Sequence, residues 1–255
     1  MTIWVIPFLI FLFINSKAMN KKIIYKFFTN NNGSSKGKYK SLNCGLQSKD
    51  NPSHIRSNII KAVNQISKTP KYLVLPTQSH SNKCIIVTKI QKKYVCDAVV
   101  SNNLKFILGI TTADCLPIIF YDDKNTNIGI CHAGWRGLVS GIIENTIKKL
   151  NYLGSKNIAI TAVIGPCIRK MSYEVSENFV KDLPIEYQQF SLINDSKYYF
   201  DLPKLASYIL SNQGISKIKD LRKNTFIDRN YFSYRESKKK NWDDYGRNIS
   251  MITIN

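Results

Sequence analysis

From residue 50 onward the chain alternates short apolar runs with stripes at helical spacing. Asn51-Pro52-Ser53 offers a side-chain cap and a first-turn proline, and Ile55, Ile59, Val63 and Ile66 then share one face, which predicts a helix. Runs rich in β-formers at residues 72–75, 84–88, 105–110, 117–121 and 128–131 predict short strands. Residues 138–150 turn Val139, Ile142, Ile143, Ile147 and Leu150 inward and set Glu144 and Lys148 four apart on the outer face, as in an amphipathic helix. A strand is expected over 158–164, ending at Gly165-Pro166. A helix is expected from Asp201, with Pro203 in its first turn, to Gly214, and closing strands over 231–234 and 249–254. Strands and helices mix without strict βαβ alternation, so a mixed-sheet α/β or α+β architecture fits better than a doubly wound one. No internal repeat and no linker divides the chain.

The first residues stand apart. Residues 3–14 are apolar but too few to span a bilayer as a helix. Ser16-Lys17-Ala18 looks like a cleavage site, yet the positive charges, at Lys17, Lys21 and Lys22, follow the apolar run instead of preceding it. Met19 opens a hydrophilic segment that reads as an ordinary protein start. Residues 1–18 are therefore expected to be an extension outside the fold, and residues 19–255 the catalytic domain.

The formal net charge of +20 invites a nucleic-acid reading. The basic residues are mostly lysines spread among Asn and Ile, with no arginine-rich arm and no paired aromatic and basic motif, so solvated surface is the better account and neither nucleic acid nor membrane is expected as a partner. The six cysteines form no CxxC pair, which points to reduced thiols.

Three segments carry candidate chemistry. Pro76-Thr77-Gln78-Ser79-His80-Ser81 follows a predicted strand. Thr111-Thr112-Ala113-Asp114-Cys115-Leu116-Pro117 lies between two more, and Cys131-His132-Ala133-Gly134-Trp135-Arg136-Gly137 joins a strand to the amphipathic helix. Each is weak alone: a single His or a buried Cys is commonly structural. However, two of the three histidines fall inside these segments. Two imidazoles and a thiolate suit zinc, and three protein ligands leave a fourth tetrahedral position open for water, the mark of a catalytic site. The glycines around Arg136 would let backbone approach an anion at a helix start, with Arg136 adding a bidentate fork for phosphate or carboxylate. A tight turn with Trp135 in the core and Arg136 in solvent is the structural alternative. Asp114, next to Cys115, reads equally as a support for a ligand, a proton acceptor or a turn residue.

The segments QSHS, TTADCLPIIFYD, GICHAGWRGLVSGI, IGPCI and YFSYRE, in this order, resemble the YfiH/laccase-domain family of purine nucleoside phosphorylases, from about Phe27 to the C-terminus. The resemblance implies a single α/β domain of layered mixed β-sheets with outer helices, and metal ligands at His80, Cys115 and His132. It also implies phosphorolysis of adenosine, inosine, guanosine and S-methyl-5′-thioadenosine, deamination of adenosine, and a cytoplasmic location. Purine nucleoside and phosphate would be the partners, with Asn43 near the nucleoside. Where the family often has Arg-Gly-Gly, this chain reads about Asn31-Asn32-Gly33; an Asn-Arg pair reads Asn58-Ile59, and a Cys-Thr pair reads Asn224-Thr225. With basic side chains lost there, Arg136 is left carrying more of the phosphate contact.

Rival readings use the same residues. Cys115 activated by His80 or His132 would make a cysteine hydrolase. A copper-dependent phenol oxidoreductase is the other, although three histidines cannot furnish the clusters of a multicopper oxidase. Copper would compete with zinc for the same three ligands.

Overall fold

The computed structural model describes residues 22–255, so the expectation for residues 1–18 lies outside the described residues. In chain order the elements are β1 (Ile23–Phe27), α1 (Pro52–Ile66), β2 (Tyr72–Val74), β3 (Cys84–Ile86), β4 (Ala98–Ser101), β5 (Phe106–Thr112), β6 (Leu116–Asp122) and β7 (Asn127–Ala133). Next come α2 (Trp135–Val139), α3 (Ile142–Tyr152), β8 (Thr161–Ile164), β9 (Glu174–Val175), α4 (Glu177–Lys181), α5 (Ile185–Gln188), β10 (Ser191–Asn194) and β11 (Lys197–Phe200). The chain closes with α6 (Leu202–Asn212), β12 (Lys217–Asp220), α7 (Tyr234–Lys239) and β13 (Asn248–Ile254).

Two mixed sheets dominate, one ordered β1-β13-β5-β2 and the other β12-β8-β6-β7-β4-β3; β10, β11 and β9 form a small third sheet. Leu108, Ile110, Ile119, Ile130, Val163 and Ile252 fill the space between the two large sheets. Ile118, Phe120 and Leu116, from the opposite face of β6, pack under α3 and α6 with Ile142, Ile147, Leu205 and Leu210. On the far side, Ala62 and Ile66 of α1 cover Ile107, Ile249 and Met251 of the four-stranded sheet. The layers run helix, sheet, sheet, helix. Because β6 and β7 are buried on both faces, their sequences are continuous apolar runs rather than alternations. Each wholly buried Ile or Phe contributes about 1.5–3 kcal/mol of transfer free energy.

Local capping chemistry decides the helices where it is strong. Asn51 accepts from the Ser53 N–H at the start of α1, and Asp201 from the Lys204 N–H at the start of α6. Long-range contacts overturn other expectations. The helix predicted over 138–150 is two, because Gly141 adopts φ +94° between α2 and α3. Its outer Glu144 makes no pair with Lys148: the carboxylate turns inward, and Oε2 is buried without a hydrogen bond. Residues 157–159 are a 3-10 turn, so the strand expected from 158 begins at Thr161. The closing strand expected over 231–234 is a turn leading into α7, where Ser233 caps the helix by accepting from the Glu236 N–H. Among the described residues, no helix is long and apolar enough to cross a membrane.

Candidate metal centre and pocket

Strand pairing builds the site. In the β6–β7 register Leu116 faces Ala133, which sets Cys115 beside the end of β7, where His132 sits. In the β4–β7 register Ala98 faces Cys131, and the His132 N–H donates to the Asp97 carbonyl at 2.7 Å. His80 arrives on the loop between β2 and β3. One ligand atom from each of His80, Cys115 and His132 lies within 4.8 Å of the others; His80 is exposed, Cys115 half-buried and His132 buried. Cys115 Sγ stands 3.9 Å from His80 Nε2, and the two imidazoles meet edge to face at 4.7 Å.

Asp97, which sequence reasoning missed, organises this group. Its carboxylate is wholly buried. It accepts from His132 Nδ1 at 2.8 Å, from the His80 N–H at 3.0 Å, and from the Ser81 N–H and hydroxyl, both at 2.7 Å. Held through Nδ1, His132 keeps Nε2 for a metal, the carboxylate–histidine arrangement usual behind metal ligands. Burial by itself would raise the Asp97 carboxyl, but the hydrogen bonds from His132 and Ser81 outweigh it and hold it below the usual carboxylate range. Burial likewise works against the Cys115 thiolate, yet the charge of His132 lowers the thiol, and Cys115 and Asp97 in turn raise His132. A readily ionised thiol beside two imidazoles is the donor chemistry of a zinc or copper site. The 3.9 Å sulfur–nitrogen separation is close to the ~3.5 Å that zinc bond lengths give in a tetrahedron, so the three residues fit an ion. Gly134 makes room for them: a Cβ there would fall 2.9 Å from His80 Cδ2 and 3.1 Å from Cys115 Sγ.

Asp114 points away from the cluster and ties the neighbouring loops. It accepts from the Thr225 hydroxyl at 2.6 Å, the Ser233 hydroxyl at 2.9 Å and the Arg235 N–H at 2.6 Å. Burial raises its carboxyl despite those bonds.

The cluster opens into a cavity of about 200 Å³ lined by Leu46, Leu75, Thr77, Thr112, Tyr245 and Arg247, among others. Tyr245 and Arg247 were not foreseen, since nothing local in Tyr245-Gly246-Arg247 brings them to position 115. Asn43 is wholly buried and does not line the cavity; its Oδ1 accepts from the Arg247 N–H, and its Nδ2 donates to Ser48 and Asp50. It stands behind Arg247. Arg136 is exposed and also lies outside the cavity lining, its guanidinium 4.5 Å above the Trp135 ring. From Trp135 an edge-on ring contact leads to Phe179, and from there to Tyr173. Burial raises the Tyr173 hydroxyl, the Cys115 charge adds to this, and Arg235 and Arg136 oppose it. Arg136 and Cys115 thus both bear on Tyr173, which does not line the cavity.

Comparison with known proteins gives the family. A Haemophilus influenzae protein named purine nucleoside phosphorylase is 31% identical over 241 residues, 91% of this chain and 94% of its own. The Escherichia coli purine nucleoside phosphorylase YfiH is 30% identical over 206 residues, 78% of this chain and 83% of that one. The crystal structure of a Neisseria meningitidis protein matches with a TM-score of 0.79 at 29% identity, covering 93% of this chain and 95% of that one. Bacillus licheniformis YfiH gives a TM-score of 0.81 at 26% identity, with 91% and 92% covered. The family described as multi-copper polyphenol oxidoreductase laccase matches residues 24–255, and with that match across nearly the whole described chain the protein belongs to this family, alongside the YfiH-type purine nucleoside phosphorylases.

Proposed function

We propose that the protein is a metal-dependent, cytoplasmic purine nucleoside phosphorylase acting on adenosine, inosine, guanosine and S-methyl-5′-thioadenosine, with hydrolytic deamination of adenosine as a second activity. The observation that carries this reading is the His80–Cys115–His132 group opening into a partly apolar cavity, in a chain 31% identical to a relative named for that activity.

The residues divide the work. His80, Cys115 and His132 would hold the ion, zinc by preference with copper as its competitor, and the ion would supply Lewis acidity. Tyr245 and Arg247 receive the nucleoside, with Asn43 positioning Arg247 from behind. Arg136, exposed near the cluster, holds phosphate through its planar fork. In phosphorolysis a phosphate oxygen bonds to C1′ as the bond from C1′ to the purine nitrogen breaks, and the purine leaves with a proton. In deamination water adds at C6 and ammonia leaves. The two reacting atoms lie on different parts of the nucleoside, so the cavity must admit it in two poses.

One observation favours a second reading: the Cys115 thiol is lowered by its histidine neighbours, as in a nucleophilic cysteine. Metal analysis of protein from unsupplemented culture, followed by nucleoside assays with and without phosphate and after chelation, separates them. Phosphate-dependent release of purine that chelation abolishes supports the phosphorylase. Activity that survives chelation, but not alkylation of Cys115, rejects it in favour of a thiol hydrolase.

A further inference from the structure

We infer that Arg247 reads the base of the bound nucleoside and makes the cavity prefer 6-oxopurines, hypoxanthine and guanine, over adenine. This rests on the nucleoside reading of the cavity. Three features single out Arg247. Its side chain is 19% exposed and lines the same cavity as His80, Cys115 and His132. Its placement is built: Asn43 Oδ1 accepts its N–H at 2.9 Å, its carbonyl accepts from the Cys44 N–H, and a Cβ at Gly45 would fall 2.8 Å from its Cδ. Its guanidinium lies 4.4 Å from the Tyr245 ring centroid, and Nη1 donates to the Tyr245 carbonyl at 3.2 Å. A guanidinium carries five N–H donors and no acceptor; Tyr245 takes some of them, at its carbonyl and hydroxyl, and the others are left for a ligand.

Electrostatics separates this arginine from Arg136. The Asp244 carboxylate stands 3.7 Å from Arg247 Nη2, too far for a hydrogen bond but near enough to offset the charge. Arg136 has no carboxylate partner among the described ion pairs. A dianion gains more from the uncompensated cation, and a neutral base gains more from the compensated, fixed one. Of the two amides in the lining, Gln78 is spent on the backbone of Thr111 in both directions, and Gln47 is exposed, whereas Arg247 is held in place. A base stacked beside Tyr245 therefore meets a donors-only fork. Hypoxanthine and guanine present O6 and N7, two acceptors side by side, which match it; adenine presents N7 and an amino group whose hydrogens oppose it.

Equilibrium dialysis of hypoxanthine and adenine against the metal-loaded protein, without phosphate, reads this directly, since free bases have no glycosidic bond to break. The wild type should bind hypoxanthine about 10- to 100-fold more tightly than adenine. Arg247→Gln offers one donor and one acceptor, the match for adenine, and should move the ratio to about 1 or below through tighter adenine binding, a gain that misfolding cannot mimic. Arg247→Lys keeps the charge and stem, and should lower the ratio by weakening hypoxanthine alone. A wild-type ratio near 1, a ratio unmoved by Arg247→Gln, or binding of neither base overturns the inference. If the ratios behave as stated but the wild type releases no purine from inosine plus phosphate, the phosphorylase reading fails and the base recognition stands.

Discussion

Replacing Asp97 with Asn tests the architecture of the site at its most constrained point. The substitution preserves shape and exchanges one acceptor oxygen for a donor. Every contact to this carboxylate comes from a donor. Oδ2 receives the N–H and hydroxyl of both Ser79 and Ser81, and Oδ1 receives the His80 N–H and His132 Nδ1. With the amide nitrogen on the Oδ2 side, the Ser81 hydroxyl can turn to accept, but the part-buried N–H groups of Ser79 and Ser81 lose their acceptor, at up to about 1–3 kcal/mol each. With it on the other side, the His80 N–H is orphaned and His132 must accept at Nδ1. That moves its proton to Nε2, the nitrogen a metal needs. Either way we expect the metal-free protein to lose about 1–3 kcal/mol in urea unfolding, and metal affinity to drop about 10- to 100-fold in chelator competition. The carboxyl is held below its ordinary 3.8, so its stabilisation is complete above that pH and is lost as pH falls through the lower folded value. The deficit of the variant should therefore be largest at neutral pH and shrink in acid. Stability within about 0.5 kcal/mol of wild type, with metal affinity unchanged, would refute the role given to Asp97.

Three further perturbations probe separate parts of the site and fold. Gly134→Ala has a backbone any residue adopts, φ −74° and ψ 166°, but its methyl meets His80 and Cys115; stability should change by less than about 1 kcal/mol while bound metal falls sharply, and full metal occupancy would count against the ligand set. Burial raises the Glu144 carboxyl, so its ionisation weakens folding above the folded pKa, and the penalty vanishes below the ordinary 4.5. Glu144→Gln should add on the order of 1 kcal/mol near neutral pH and nothing in acid; a pH-independent effect would contradict this. Arg136→Lys keeps the charge and loses the fork, so phosphorolysis should fall about 10- to 100-fold with a raised KM for phosphate, and deamination much less. An equal drop in both rates would mean that Arg136 positions the nucleoside or the loop.

What could be read from the sequence was local or concentrated. The cap and stripe of α1, and the start at Asp201 with the first-turn proline Pro203 of α6, act within a few residues, so these helices were legible. His80, Cys115 and His132 were legible because each sits in a compact segment at a strand end. Asp97 was not. It opens the apolar run Ala98-Val99-Val100, and an acid at a strand edge is unremarkable until the β4–β7 register sets it against His132. Arg247 depends on Asn43, 204 residues away, and no local pattern records that distance. Residues 231–234 carry strand-forming side chains, but Asp114 binds the Ser233 hydroxyl and the Arg235 N–H, and those bonds turn the segment into the start of a helix.

The two carboxylates behind the cluster serve a common end by opposite means. His80 and Asp114 both hold left-handed backbone, φ 59° and 82°, a conformation that costs a residue with a side chain about 1–3 kcal/mol. Each lies at or next to a proposed ligand, so the turn that aims the ligand is the strained one. At His80 the cost is offset from outside, because the loop from Ser79 to Ser81 wraps its N–H groups around Asp97. At Asp114 it is offset from within, by the residue's own side chain fastening to Thr225, Ser233 and Arg235. The protons follow the same division. Asp97 faces an imidazole that shares its charge, and its carboxyl is lowered. Asp114 meets mainly hydroxyls and a backbone N–H in a dry setting, and its carboxyl is raised. The network on Asp97 therefore depends on charge, whereas that on Asp114 depends mostly on hydrogen-bond geometry. Both networks use protein groups alone, and together they fix the backbone on either side of His80, Cys115 and His132, the kind of support a precisely held site needs.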